Sequence, residues 1–171
     1  MIRYFNNRAL VTMGLNIFCD GSARNNGRVG AKAGYGVYIT LNDAVILRHS
    51  SPVPADEPQT NQRAELRALA FVLKYIQDGA HRESVIYTDS QYAINCLKTW
   101  CAGWERKGWR KADNKPVLHL DLIKPMWEIW KSVEGYTTMN HVNSHTGGRD
   151  FASKGNAEAD RLATEAADSV V

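Results

Sequence analysis

The segment Leu15-Asn16-Ile17-Phe18-Cys19-Asp20-Gly21 decides the fold, because an apolar run ends there in a carboxylate and a glycine. A second run, Val85-Ile86-Tyr87-Thr88, ends in the same way at Asp89. Each pattern predicts a buried strand with an acid at its carboxyl end. Ligands of open α/β sheets bind at the carboxyl ends of the strands, so we expect the two acids to face one site.

Hydrophobic periodicity predicts an α/β chain that begins with three antiparallel strands in a meander. Asn42-Asp43 suits the tight turn of a hairpin between the second and third of them. A glycine-rich segment, 145–155, is predicted to be a mobile loop. The predicted elements are strands 14–20, 33–41 and 44–49, a helix from Thr60 to about Gln77, strand 83–88, a helix from about Ser90 to Trp100, a helix from about Leu118 to Trp130, strand 136–142 and a helix from about Asn156 to Ala167.

The bulk composition predicts one soluble intracellular domain. The chain has 171 residues, and no apolar run approaches the roughly 20 residues that cross a bilayer. Residues 1–13 lack the long apolar core of a secretory signal and are expected to be a weakly ordered extension. Three cysteines without zinc spacing indicate a reducing compartment. We therefore expect the cytoplasm, or the nucleus or an organelle if the source is eukaryotic, and a monomer without membrane contact.

The formal net charge of +3 is concentrated in residues 104–116. Tryptophans lie among the cations of this segment, which suits contact with sugar and base faces. A basic patch of this kind is typical of a protein that binds a phosphate backbone, although a solvated face and core-packed tryptophans are the commoner explanations. The candidate nucleic-acid contacts here are Trp100, Trp104, Arg106, Lys107, Trp109, Arg110 and Lys111.

Two further acids, Glu65 and Asp160, lie on predicted helices. Alone, Asp20 or Asp89 is more often a helix cap than a ligand, and Glu65 or Asp160 is an ordinary helix residue. Two strand ends and two helices that bring all four to one sheet edge would instead form a site for Mg²⁺ or Mn²⁺. Two such ions, about 4 Å apart, can activate water for phosphodiester hydrolysis.

His145 lies in the predicted loop that leads to Asp160. A lone histidine usually has no catalytic role. Beside a carboxylate cluster, however, a histidine in a mobile loop can move a proton or help a product to leave. We therefore include His145 among the candidate catalytic residues.

The chain resembles the type 1 ribonuclease H family from about Leu15 to the C terminus. Four ordered motifs carry the resemblance: Phe18-Cys19-Asp20-Gly21-Ser22, Thr60-Asn61-Gln62-Arg63-Ala64-Glu65-Leu66, Tyr87-Thr88-Asp89-Ser90 and Gly155-Asn156-Ala157-Glu158-Ala159-Asp160-Arg161-Leu162-Ala163. The resemblance implies a ribonuclease H-like fold with a five-stranded mixed sheet, three antiparallel strands followed by two parallel ones. Residues 14–171 would form the catalytic domain.

The resemblance also implies an activity and a cofactor. The family cleaves the RNA strand of RNA/DNA hybrids with Mg²⁺, giving 5′-phosphate and 3′-hydroxyl ends. Asp20 would bridge two metal ions, Glu65 and Asp89 would complete one, and Asp160 would help to hold the other, while His145 matches the family's loop histidine. Mn²⁺ is a possible substitute for Mg²⁺.

The resemblance assigns nucleic-acid contacts as well. The segment Trp100 to Pro116 is similar to the basic protrusion that grips the DNA strand. Asn26, Asn61 and Gln62 resemble the contacts to RNA 2′-hydroxyls, which amides can recognise because they both donate and accept. Thr60 matches a member of the pocket for a DNA phosphate.

Several positions depart from the family pattern. Pro58 and His119 stand where relatives often have an arginine and an asparagine of the phosphate pocket. Ala157 replaces a common glutamate, for which Glu158 is the nearest substitute. The spacing from His145 to Asp160 is about five residues longer than usual, so a longer mobile loop is expected.

Three other functions fit the clustered acids less well. A DNA nuclease or integrase of similar fold would use the same metals, but Asn61-Gln62 and the basic segment favour a hybrid. A hybrid-binding protein without catalysis is disfavoured because all four carboxylates are present. A glycosidase is the weakest alternative, since no acid is isolated in an apolar pocket.

Overall fold

The computed structural model describes residues 14–79, 83–144 and 147–170, with a five-stranded sheet at the centre. The strands are β1 (Leu15–Arg24), β2 (Lys32–Leu41), β3 (Ala44–Pro52), β4 (Ser84–Thr88) and β5 (Thr137–His141). Their spatial order is β3-β2-β1-β4-β5. β1 to β3 pair antiparallel, and β4 pairs parallel with both β1 and β5. The predicted mixed sheet is confirmed.

Helices cover the sheet and bury its apolar side chains. They are α1 (Asn61–Asp78), α2 (Gln91–Asn95), a π-helical turn (Cys96–Trp100), α3 (Cys101–Arg106), α4 (Leu120–Val133) and α5 (Phe151–Asp168). The largest fully buried side chains include Phe18, Ile17 and Ile86 of the central strands and Leu66 and Leu69 of α1. The segment 15–21 therefore forms the buried centre of the fold. No helix among the described residues is long and apolar enough to cross a membrane.

The predicted hairpin between β2 and β3 is present. Asn42 and Asp43 have φ angles of 48° and 64°, the positive values that a tight two-residue hairpin turn requires. Thr60 caps α1 by accepting a hydrogen bond from the Arg63 N–H at 3.1 Å. Helix capping, the structural explanation for Thr60, therefore holds.

Predicted boundaries differ from the structure at three places near the site. β1 continues to Arg24 instead of ending at Asp20, because its pairing with β2 extends to Arg24 and Lys32. The loop predicted over 145–155 ends at Asp150, whose side chain accepts from the Ser153 N–H at 3.0 Å and caps α5. The helix continues through Gly155. The residue there is glycine because the ring of Phe18 fills the space that a Cβ would need. The helix predicted to end at Trp100 continues through the π-helical turn to Arg106, so the basic segment begins in a helix at residues 104–106.

Candidate active site and nucleic-acid surface

Strand register brings Asp20 and Asp89 to the same edge of the sheet. β1 and β4 run parallel with Phe18 opposite Tyr87, and each aspartate lies two residues further along its chain. Asp20 is 5% exposed and Asp89 is half-buried. Asp89 directly follows β4, as predicted, whereas β1 continues to Arg24, so Asp20 lies inside its strand just beyond the last residue that pairs with β4. The two acids nevertheless lie side by side at this edge of the β1–β4 pair.

Two glycines beside Asp20 bring the other two acids to it. A Cβ on Gly21 would lie 2.3 Å from the Glu65 backbone nitrogen, so glycine allows α1 to approach β1 at Glu65. Gly36 lies opposite Asp20 on β2, and a Cβ there would lie 2.3 Å from the carbonyl oxygen of Ala159, next to Asp160. Close backbone approach on both sides thus gathers the carboxylates.

Asp20 is the most perturbed of the four acids. Burial raises its pKa to about 9, together with repulsion from Asp89 and Asp160 and a hydrogen bond to the Asp160 carboxyl. The Gly21 N–H donates to Asp20 Oδ1 at 2.8 Å, and this hydrogen bond lowers the pKa of Asp20. A buried carboxylate beside like charges is unstable without a proton or a cation.

Glu65 is held by a residue that sequence reasoning missed. The Ser90 hydroxyl donates to Glu65 Oε2 at 2.5 Å, and it also caps α2 by accepting from the Ala93 N–H. Burial raises the pKa of Glu65, and the Ser90 hydrogen bond opposes that shift. The position of Ser90 directly after Asp89 was the available signal, since a serine there can both cap the helix and face the site.

The donor set fits a hard divalent cation. Asp20, Glu65, Asp89 and Asp160 supply only oxygen ligands, which Mg²⁺ and Mn²⁺ prefer, and their mutual repulsion favours a bound cation. In the described ranges no group of three or more His, Cys, Asp or Glu side chains is already arranged to hold a metal ion. The residues therefore supply the chemistry of a metal site without a closed cage.

An amide-lined groove begins at this acidic edge. The Asn61 N–H donates to Asn26 Oδ1 at 3.2 Å, which joins the β1–β2 connection to the start of α1. The groove has a volume of about 510 Å³ and is lined by Asn26, Thr60, Asn61, Gln62, Glu65, Leu118 and His119. All four residues predicted outside the basic segment to contact nucleic acid thus line one surface together with Glu65.

An aromatic groove lies next to it. The rings of Trp100 and Trp104 have centroids 5.6 Å apart, and Tyr92 lies 5.8 Å from Trp100. This groove, of about 360 Å³, shares Gln62 and Leu118 with the amide-lined groove. The two tryptophans pack on the core and remain partly exposed, so their contact with nucleic acid stays a prediction.

The basic segment continues from the aromatic groove as an exposed loop. Gly108 and Trp109 turn the chain with φ angles of 66° and 64°, and Arg110 pairs with Pro116 to close the loop. Trp109 is half-buried beneath Lys124. Arg106, Lys107 and Arg110 are exposed, and Lys111 lines the aromatic groove.

Two expectations near Asp160 have different outcomes. His145 lies outside the described residues, so its predicted role stays a prediction. Glu158 forms ion pairs with Arg48 at 3.1 Å and Arg161 at 2.7 Å, which lower its pKa. Glu158 therefore stabilises the outer face of α5, and we do not expect it to replace the carboxylate missing at Ala157.

Comparison with known proteins identifies several similar chains. A family model described as RNase H matches residues 13–168. Ribonuclease H of Erythrobacter litoralis (strain HTCC2594) is 34% identical over 155 residues, covering 90% of this chain and 96% of that protein. Ribonuclease H1 of Mus musculus is 33% identical over 151 residues, covering 88% of this chain. The solution structure of the PFV RNase H domain has a TM-score of 0.75 at 25% identity, covering 90% of this chain and 93% of that one.

The matched relatives differ in length. The chain spans 49% of the Mus musculus and Rattus norvegicus proteins and 52% of the Schizosaccharomyces pombe protein. The similarity therefore concerns one domain of these longer proteins.

Proposed function

Because the chain belongs to the ribonuclease H family, we propose that it hydrolyses the RNA strand of RNA/DNA hybrids endonucleolytically, giving 5′-phosphate and 3′-hydroxyl ends. One observation carries the proposal: four carboxylates converge beside an amide-lined groove that continues into an aromatic and basic one. The catalytic unit is residues 14–171, preceded by the extension 1–13.

The family depends on divalent metal ions, and two Mg²⁺ ions are proposed here, with Mn²⁺ as a substitute. Asp20, Glu65, Asp89 and Asp160 would hold them, with Asp20 shared. Ions so held supply activation of water and neutralisation of charge in phosphodiester hydrolysis. Within the protein, Ser90 orients Glu65, and burial keeps bulk water away from Asp20. His145 is proposed to move a proton or to assist product release.

The two grooves suit two chemically different strands. Amide groups of Asn26, Asn61 and Gln62 can donate to and accept from a 2′-hydroxyl, the group that distinguishes RNA from DNA. Aromatic faces and cations suit a DNA strand, which lacks that hydroxyl and can be bound by stacking on its bases and by attraction to its phosphates. We propose that RNA lies along the amide-lined groove and that DNA lies along the aromatic groove, with Thr60 in the pocket for a DNA phosphate. The protein is proposed to act as an intracellular monomer.

Replacing Asp89 with Asn tests the metal assignment. The change is nearly isosteric and removes one ligand charge, so Mg²⁺-dependent hybrid cleavage is expected to fall about a thousandfold or more. Hybrid binding, measured by fluorescence anisotropy in Ca²⁺, is expected to persist. Asp78→Asn is the matched control, because Asp78 pairs with Lys74 at the far end of α1. Full cleavage by the Asp89 variant would refute the assignment.

Replacing Arg106, Lys107, Arg110 and Lys111 together with Ala tests the basic segment. Each lost phosphate contact removes roughly 0.7 to 0.9 from the slope of log K against log salt. We expect hybrid binding to weaken by about tenfold or more at low salt, with a flatter slope, in a titration from 50 to 200 mM salt. Lys74→Ala is the control, because Lys74 is an exposed cation of α1 that pairs with Asp78 and lies outside the basic segment. An unchanged slope in the fourfold variant would mean that these cations only face solvent.

A further inference from the structure

An ion-pair hub centred on the buried side chain of Arg63 lines a second cavity, which shares Leu118 and His119 with the amide-lined groove. Arg63 of α1 is 3% exposed, and its guanidinium bridges two segments. It donates to Glu57 Oε2 at 2.7 Å on one side and to both carboxylate oxygens of Asp121, at 2.8 and 2.5 Å, on the other. Glu57 precedes α1 and Asp121 lies in the first turn of α4, so Arg63 fixes the start of one helix against the other.

The same guanidinium contacts His119. Arg63 Nη1 lies 3.4 Å from His119 Nδ1, a long hydrogen bond. A guanidinium carries only donors and does not lose its proton in proteins, so the nitrogen that faces it must be the acceptor. A neutral His119 in this contact therefore carries its proton on Nε2, at the other edge of the ring.

The backbone of His119 supports a positioned side chain. Its φ and ψ are 56° and 28°, in the left-handed region that a non-glycine residue rarely adopts. His119 precedes the first residue of α4, yet its side chain makes no capping hydrogen bond. Such a conformation persists when the surroundings impose it.

His119 lines two cavities. One is the amide-lined groove, and the other, of about 630 Å³, is lined by Asp56, Glu57, Pro58, Arg63, Leu118, His119 and Asp121. Burial and the charge of Arg63 lower the pKa of His119, against a smaller opposing effect of Asp121. The ring is thus neutral at pH 7, in a residue that lines the same groove as Asn61 and Gln62.

We infer that Arg63 is a positioning residue. It holds His119 as the Nε2–H tautomer and keeps the start of α4 in place, so that a residue lining the amide-lined groove carries a neutral hydrogen-bond donor. The ligand that this donor meets, an acceptor oxygen of the nucleic acid, rests on the proposed function. The tautomer and its dependence on Arg63 do not.

Two-bond ¹H–¹⁵N correlation spectra of the protein without nucleic acid test the inference. The His119 signals are assigned from their loss in His119→Asn. At pH 7 we expect Nδ1 at the position of an unprotonated nitrogen and Nε2 at that of a protonated one. An Nδ1–H tautomer, an average of both tautomers or an imidazolium in the wild type would overturn the inference, whatever the protein cleaves.

Variants of Arg63 test the positioning role. Arg63→Met is expected to bring the two His119 nitrogen signals toward their average and to raise KM for the hybrid about tenfold, with a smaller fall in kcat. Arg63→Lys keeps a donor-only cation and is expected to retain the wild-type tautomer. This variant can be measured even if Arg63→Met fails to fold. Arg67→Met is the matched control, since Arg67 pairs with the same Glu57 carboxylate one turn further along α1. An unaltered tautomer in Arg63→Met, loss of the tautomer in Arg63→Lys, or an equal rise of KM in the Arg67 variant contradicts the role.

Discussion

Asn in place of Asp20 is expected to stabilise the metal-free protein while reducing Mg²⁺-dependent hybrid cleavage by about a thousandfold or more. Asp20 is 5% exposed, and burial and like charges raise its pKa to about 9. In the unfolded chain the same group ionises freely near pH 4. Folding at pH 7 must therefore either bury the charged carboxylate of Asp20 or protonate it, and each of these costs free energy.

Asparagine resembles the protonated aspartate in shape and carries no charge, so it removes that cost. We expect the free energy of unfolding at pH 7 in EDTA to rise by about 1 to 3 kcal/mol, or several degrees in Tm. Differential scanning calorimetry measures the change, and Asp78→Asn, at an exposed ion pair, is the control. A less stable Asp20→Asn protein that still cleaves the hybrid would contradict both the electrostatic strain and the metal assignment.

Alanine in place of Gly36 is expected to cost both stability and activity. The added Cβ would lie 2.3 Å from the Ala159 carbonyl oxygen and 2.6 Å from the Ala163 nitrogen, both in the backbone of α5. The helix must move away from β2, because neither contact can be relieved by a side-chain rotation. Overpacking of this kind costs about 1 to 3 kcal/mol or more.

The same movement displaces Asp160, which follows Ala159 on α5. We therefore expect cleavage to fall more than tenfold even after correction for the folded fraction, with a decrease in Tm of about 5 °C or more. Gly103→Ala is the matched control: a Cβ there meets no atom within 4 Å, and alanine favours the helix α3. Equal stability of the two alanine variants would show that Gly36 does not set the distance between β2 and α5.

Strand patterns and the metal-site acids could be predicted because their signals are local. Apolar runs end at Asp20 and Asp89, and both acids lie just beyond the last paired residues of the parallel strands β1 and β4, although β1 itself continues to Arg24. The start of α5 could not be predicted in this way. Gly155 reads as a loop residue, and only the packing of Phe18 against it explains a glycine inside the helix.

The missed contributors act through contacts between distant segments. Arg63 belongs to a recognisable motif, but its partners Glu57 and Asp121 lie 6 and 58 residues away and converge only in the folded chain. Ser90 adjoins Asp89, yet its bond to Glu65 depends on how α1 packs against β1 and α2. Sequence patterns identified the acids, and tertiary packing determines what orients them.

Strand-resolved cleavage is the most direct test of the account. RNA/DNA hybrid, RNA duplex and DNA duplex, each labelled separately on both strands, are incubated with the wild-type protein, with and without Mg²⁺. We predict cuts only in the RNA strand of the hybrid, only with Mg²⁺, and with 5′-phosphate and 3′-hydroxyl ends. Preferred cleavage of the DNA duplex, or hybrid cleavage that persists in EDTA, would contradict it.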